Sequence, residues 1–406
     1  MTTPAAPFAL TFILATVALD AIGIGLIFPV MPDLMMEVTG LPLSEAAIWG
    51  GLITASYAVM QFLFGPIVGN LSDRYGRRPV LLASMTVMAL DYVVMGLTAS
   101  VWVLLAARMV SGITAATHST ANAYIADISA PDQRAKRFGL IGAAFGIGFV
   151  LGPIIGGLLA GIDTRAPFWA AAALAGANAL FGLLVLPESL PMSERRPFTW
   201  ARANPLSSFK AIRRLPGLRA LLAVAFLYAL TFTVYPAIWS YFGKAAFGWS
   251  ATWVGVSLAA YGVALALVQS LLVAPAIRKF GETRTVIIGM CIEVGAFIFL
   301  GLTTSGLLTL LFTPITALGG IAGPALQSLQ SRRVPASQQG ELQGILTSLN
   351  ALTMIAGPLM MTWVFGLFTA PAAPIFLPGA PFLLAGVLMV AAVLVFVATS
   401  RESSTP

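Results

Sequence analysis

Charge is scarce in this chain. Asp, Glu, Lys and Arg make up 9% of its 406 residues, against 58% apolar residues, whereas soluble domains carry about 25% charged residues. That scarcity excludes a soluble globular fold and predicts an all-α integral membrane protein, with length for twelve spans of roughly 20–28 residues. Histidine and cysteine occur once each, as His118 and Cys291. One cysteine allows no disulfide within the chain, and one histidine allows no H-E-x-x-H site; no Asp/Glu/His cluster stands out as a tight metal site. A G-x-x-x-x-G-K-[ST] loop and a large soluble module are both lacking, so no ATP-hydrolysing site is expected. An intramembrane enzyme or receptor would need a nucleophile–base pair or a ligand cluster in the spans, and the chain is therefore read as a non-enzyme. Met1–Pro7 has no basic residue, and Phe8–Met31 is long enough to stay as a first span, so no cleavable signal is expected. The net charge of +7 does not mark a nucleic-acid binder, because the basic residues are scattered through short loops.

The charge that is present has a side. Of 22 Lys/Arg, all but Arg108, Arg165 and Lys244 fall in segments that share a side with both termini. The positive-inside rule then places both termini in the cytoplasm and requires an even number of spans. We read these at 8–34, 46–70, 79–98, 101–128, 138–162 and 166–187, then 217–242, 250–277, 284–304, 306–331, 341–368 and 379–399. The organisation is a six-helix half (1–187), a Pro-, Ser- and Arg-rich cytoplasmic linker (188–216) expected to be a solvated tether with a short amphipathic helix, and a second six-helix half (217–406). Prolines 29, 66, 153, 236, 275, 314, 324 and 358 should bend or loosen their helices.

The stretch Gly69-Asn-Leu-Ser-Asp-Arg-Tyr-Gly-Arg-Arg-Pro79 concentrates charge between two apolar runs. It reads as a tight cytoplasmic turn in which Gly69 permits close helix approach, Gly76 supplies a positive φ and Pro79 suits a first helical turn. Asp73, Arg74, Arg77 and Arg78 supply its charge. Asp73 is expected to accept hydrogen bonds at the N-terminus of the eleventh helix, near Gln339–Gln343, and Arg77 to pair with Asp127, together closing the cytoplasmic face. Adding 205 to this numbering gives a worn copy, Arg278-Lys-Phe-Gly-Glu-Thr-Arg284, and the same offset carries Gly152-Pro153 onto Gly357-Pro358. Two landmarks at one offset indicate a tandem repeat of parallel halves, as in secondary transporters. Gly148, Gly152 and Gly156, with Gly157 beside them, recur at i, i+4 and i+8 and give the fifth span a face without side chains.

Few ionisable residues fall inside the spans: Asp20, Asp91, Arg108 and Glu293, with His118 weaker. Each costs about 2.5–3.5 kcal/mol to insert, so each marks a functional position. Burial favours the protonated form of a carboxyl and a nearby cation opposes it, which makes such acids candidate proton carriers. Arg108 is expected to reach Asp20 and to switch it between proton-holding and proton-free states. His118 is read as a structural histidine bonded within the bundle. Gln61, Asn122, Gln269, Gln327, Gln330 and Asn350 are the candidate substrate contacts, although each amide could equally join two helices. Phe28, Tyr57, Phe64, Tyr92, Tyr228, Tyr235, Trp239 and Tyr261 could line an apolar pocket, with Trp239 and Trp49 as candidate interfacial anchors.

These residues carry a family likeness. The loop resembles the G-x-L-S-D-R-x-G-R-R-P motif of the major facilitator superfamily, and Gly148–Gly157, with Pro153 after Gly152, resembles the G-x-x-x-G-P-x-x-G-G motif of its drug/proton antiporters. The likeness extends over nearly the whole chain to the bacterial tetracycline/proton antiporters, through Leu19–Pro29, Leu90–Tyr92, Arg108–Thr114, Pro324–Gln327 and Gln338–Gly344. It implies the major facilitator fold, with twelve helices in two pseudo-symmetric six-helix halves, in a bacterial inner membrane. It also implies export of tetracycline or a related amphipathic drug in exchange for protons, with no tightly bound cofactor and Mg²⁺ arriving as part of a chelated substrate. Asp20, Asp91 and Glu293 match the family's membrane-embedded carboxylates, Glu293 standing where the family has Asp. Leu265 falls where the family carries a proton-coupling histidine. A multidrug or metabolite exporter of the same fold is the alternative, and proton-coupled uptake is a further option that the exporter motif disfavours.

Overall fold

The computed structural model describes residues 9–130, 132–200, 203–205 and 216–402, and among these it is helical with no strand. The first half comprises α1 (Ala9–Ile27), α2 (Met31–Thr39), α3 (Leu43–Tyr75), α4 (Arg77–Leu97), α5 (Val101–Ile113), α6 (Thr117–Ile128), α7 (Arg134–Ala160) and α8 (Ala166–Val185). The second comprises α9 (Arg219–Phe232), α10 (Val234–Phe247), α11 (Ala251–Leu267), α12 (Val273–Leu302), α13 (Gly306–Thr316), α14 (Ala322–Arg332), α15 (Gln339–Thr369) and α16 (Ala380–Glu402). Several of these are two arms of one crossing. Pro29 sits in a 3-10 turn, Phe28–Val30, between α1 and α2, and a second 3-10 turn at Ala317–Ile321 follows the helix that holds Pro314.

Eleven helical stretches among the described residues are long and apolar enough to cross a membrane. One of them, Ala251–Leu302, contains Gly281 at φ 76°, ψ 165°, a conformation open essentially to glycine. Division there leaves arms 251–280 and 282–302, consistent with twelve crossings. Gly76, 205 residues earlier, has φ 107°, ψ 163° and separates α3 from α4. The repeat read from the sequence is thus a repeat of backbone geometry. Large apolar side chains such as Leu184, Leu307 and Leu394 are 74%, 68% and 65% exposed, a liability in water that becomes the lipid-facing surface in a bilayer.

The chain forms two compact units that depart from the simple halves. As far as the described residues go, unit 1 holds 9–40, 56–205 and 251–259, and unit 2 holds 41–55, 216–250 and 260–402. Small residues explain the reassigned pieces. In unit 2, a methyl on Gly51 would come within 2.9 Å of the Pro358 carbonyl oxygen. In unit 1, Gly255 packs on the Pro153 carbonyl, and Thr252 Oγ1 donates to the Gly157 carbonyl at 2.9 Å. Residues 188–200 and 203–205 also join unit 1; Leu190 is buried against it, while most of 191–200 is exposed, as a solvated tether would be. Residues 201–202 and 206–215 of the linker lie outside the described residues.

Candidate functional site

Unit 1 buries a cluster of charge where α4 and α5 form an antiparallel hairpin. Asp91 is 3% exposed, and its Oδ2 accepts from Arg108 Nη1 at 2.7 Å. The Arg108 guanidinium also lies 4.5 Å from the centre of the Tyr57 ring, adding a cation–π contact in a place with little solvent to compete. The expected Asp20–Arg108 pair is therefore not formed; Asp91 is the partner. Residues on either side of a tight hairpin turn share a depth, which gives Arg108 a nearer acid than the one on α1. Asp20 lies beside Thr117 of α6. Tyr57 and Tyr92 are within electrostatic reach of Asp20, Asp91 and Arg108 alike, so the three charges form one cluster.

Unit 2 holds one buried acid of another kind. Glu293 on α12 is completely buried, and neither carboxylate oxygen has a hydrogen-bond partner among the described residues. Its Cδ and Oε1 press on the backbone at Gly319, where any added side chain would collide with the carboxyl. Tyr228, Tyr235 and Tyr261 are within electrostatic reach of it, and the Tyr235 and Tyr261 rings stack at 5.5 Å. Leu265 joins the neighbouring apolar cluster of Val268, Ala317 and Ile321, so the position is filled by packing. Trp239 is 3% exposed within an aromatic group including Tyr235, Trp249 and Phe382, which rules out the interfacial role. His118 is exposed, its ring 5.8 Å from Phe145, instead of being bonded within the bundle.

Four of the six candidate substrate residues come together. Gln269, Gln327, Gln330 and Asn350 line a cavity of about 480 Å³ within unit 2, with Tyr228, Gln343 and Thr347. Gln269 is carried by a π-helical turn, Val268–Leu272, between α11 and α12, a local widening that recurs at functional sites. Gln330 is anchored by donating to the Leu221 carbonyl at 3.1 Å. Gln343 and Thr347 share a face of α15 with Asn350, at i, i+4 and i+7, a spacing that could have marked them. Gln61 and Asn122 belong to unit 1, where Gln61 Nε2 donates to the Ala115 carbonyl at 3.3 Å, between α5 and α6. Such a cavity can hold a ligand with several hydrogen-bonding groups and an apolar body.

At the α3–α4 turn, Arg77 Nη1 reaches Asp73 Oδ1 at 2.7 Å and Arg77 Nε reaches Asp127 Oδ2 at 3.1 Å, the second being the expected pair. Arg78 Nη2 donates to the Leu183 carbonyl at 2.6 Å. One expectation fails here: a side chain at Gly69 would meet nothing within 4 Å, so the expected close helix approach is not made there. Arg74 is exposed over the Tyr75 ring. At the equivalent turn of unit 2, Glu282 Oε1 accepts from Arg332 Nε at 3.1 Å and from Ser328 Oγ at 2.6 Å.

The glycine face of α7 packs directly on α1. A methyl on Gly152 would come within 2.7 Å of Gly25 Cα and of the Ile22 carbonyl oxygen, and one on Gly148 within 2.7 Å of Ala21 Cβ. Gly156 meets the Leu26 backbone, and Gly157 meets Ala251 and Thr252. Among the described residues, no three acidic, His or Cys side chains gather as a metal ion would require.

Comparison with known proteins joins these features. The sequence profile described as Major Facilitator Superfamily matches residues 13–358 and 220–406. The chain is 45% identical over 357 residues to the Escherichia coli tetracycline resistance protein, class C, covering 88% of this chain and 89% of that protein. It is 41% identical over 352 residues to the class G protein of Vibrio anguillarum, covering 87% and 89%. Among solved structures, the human organic anion transporter MFSD10 (TETRAN) superposes with a TM-score of 0.69 at 27% identity, covering 96% of this chain and 98% of that one.

Proposed function

The chain belongs to the Major Facilitator Superfamily, and from that premise we propose that it is a proton-coupled antiporter that exports tetracycline or a related amphipathic drug from the cytoplasm. The observation that carries this reading is the pair of unlike acid sites inside apolar helices, Asp91 held by Arg108 and Glu293 without a hydrogen-bond partner among the described residues, in a relative of tetracycline resistance proteins. Arg108 balances the charge of Asp91. Glu293 has no such balance, so a proton is what neutralises it in its buried setting. Asp20 and Glu293 are the proton carriers in this scheme, and Asp91 with Arg108 holds the N-terminal cluster in place. The amide-lined cavity takes the drug, with Gln269, Gln327 and Asn350 as contacts.

The Asp73–Arg77–Asp127 cluster serves as the cytoplasmic gate, and the α1–α7 glycine contact keeps those helices close enough to move as one piece. The protein is a transporter with no catalytic chemistry and no tightly bound cofactor; any Mg²⁺ enters as part of the chelated drug. It resides in the bacterial inner membrane with both termini in the cytoplasm. One feature favours a different cargo on the same machinery: Leu265 places an apolar side chain where the resemblance implies a histidine. Growth protection against tetracycline, dyes and phenicols separates the two readings. Selective protection against tetracycline is the expected result, and protection against the others without tetracycline would overturn the substrate assignment.

A further inference from the structure

The start of the linker is built into the gate cluster. Tyr124, fully buried on α6, donates its hydroxyl to the Pro187 carbonyl at 2.9 Å. The next residue, Glu188, receives the first backbone N–H groups of α4: Oε1 accepts from Arg77 N at 2.8 Å and Oε2 from Arg78 N at 3.2 Å. A carboxylate at a helix N-terminus satisfies orphan donors and faces the positive end of the helix dipole. Ser189 Oγ then donates at 3.0 Å to Asp127 Oδ2, the same oxygen that takes Arg77 Nε. Further along, Arg196 N donates to the Asp73 carbonyl at 3.1 Å and Asn70 Nδ2 to the Thr199 carbonyl at 2.7 Å. Every member of the Asp73–Arg77–Asp127 set thus has a bond to residues 188–196. Gly76 is part of the same fit, because an added methyl would fall on the Glu188 carboxylate.

We propose that residues 188–199 form a strap that couples the linker to the α3–α4 turn, with Glu188 as a positioning residue that sets where Arg77 stands. Arg77 is gripped twice, its side chain by the gate acids and its backbone by the linker. Displacement of the linker therefore moves the arginine on which the gate depends, and motion of the turn is passed into the tether between the halves. The proposal rests on the gate reading of the Asp73–Arg77–Asp127 cluster, and its test uses a readout that does not need transport.

Leu190 is 6% exposed within the strap, so Leu190→Cys places a thiol there as a probe. The background is Cys291→Ser, because Cys291 is exposed and would itself react. In the full-length, detergent-solubilised protein, the introduced thiol should react slowly with a maleimide, and adding Glu188→Gln should raise the rate about fivefold as the strap detaches. In vesicles, Glu188→Gln should lower tetracycline-dependent proton movement by about fivefold at unchanged protein level, with part of the loss recovered in Glu188→Asp. Ser189→Ala, which keeps the carboxylate, should change both readouts in the same direction by less. Unchanged labelling in Glu188→Gln overturns the strap. Faster labelling with full transport overturns the positioning role. Failure of the parent protein to move protons with tetracycline would count against the antiporter reading, while the labelling comparison would still decide the strap.

Discussion

Arg77 and Glu282 stand 205 residues apart at equivalent places in the repeat and carry opposite charges, as do their partners Asp127 and Arg332. Both turns join a helix end to a glycine of positive φ and tie the next helix to the end of the second crossing after the turn. Geometry has been retained while charge has been exchanged. What differs is the load on each turn: Glu188 fills the space over Gly76, whereas a side chain at Gly281 would meet nothing within 4 Å. The N-terminal copy is held by the linker as well as by its own acids, and the C-terminal copy by Ser328 and an ion pair whose arginine is 74% exposed. The buried acids show the same asymmetry, since Asp91 has an arginine and Glu293 has none.

The contrast is broken most severely at the acids. Asp91→Asn leaves Arg108 buried without its partner and should destabilise the protein by about 3–5 kcal/mol. Glu293→Gln strands no charge and should stay within about 1 kcal/mol of the parent. Thermal unfolding of the two purified variants checks this, and equal losses would mean that the two acids are not of different kinds. Next come the glycines. Alanine at 76 or 281 forces a side chain into a backbone region that costs about 1–3 kcal/mol, and Gly76→Ala should be the worse because it also displaces Glu188. Equal melting temperatures would remove the strap from the account. Smallest is the pair comparison. Arg77→Gln breaks the two ion pairs and a bond to Ser72 Oγ at a side chain 12% exposed and should cost about 1–3 kcal/mol. Arg332→Gln breaks an exposed pair and should cost at most about 0.5 kcal/mol in the same measurement.

Much of this was legible in the residues. The repeat could be read because glycine at positive φ and proline inside a helix leave marks that survive divergence, as Gly281 and Pro358 do. Arg77–Asp127 followed from charge at the ends of neighbouring spans. Arg108 takes Asp91 in place of the expected Asp20 because the two spans that carry the pair share a turn. Asp91 lies six residues before the end of α4 and Arg108 seven after the start of α5, and that shared distance from the turn was the available signal. The strap left no pattern to read: Glu188 works through backbone N–H groups, which every residue carries. Gln343 and Thr347 share a helix face with Asn350 by local spacing, whereas their meeting with Gln269 is a long-range arrangement that local polarity cannot supply.

The central claim is that buried acids exchange protons for drug. Its most direct test is the internal pH of energised, inside-out membrane vesicles on addition of tetracycline with Mg²⁺. Vesicles carrying the parent protein should lose internal acidity when the drug is added, and those carrying Glu293→Gln, at matched protein level, should not respond. A parent that leaves the pH unchanged while still moving drug, or a Glu293→Gln variant that responds fully, would contradict the account.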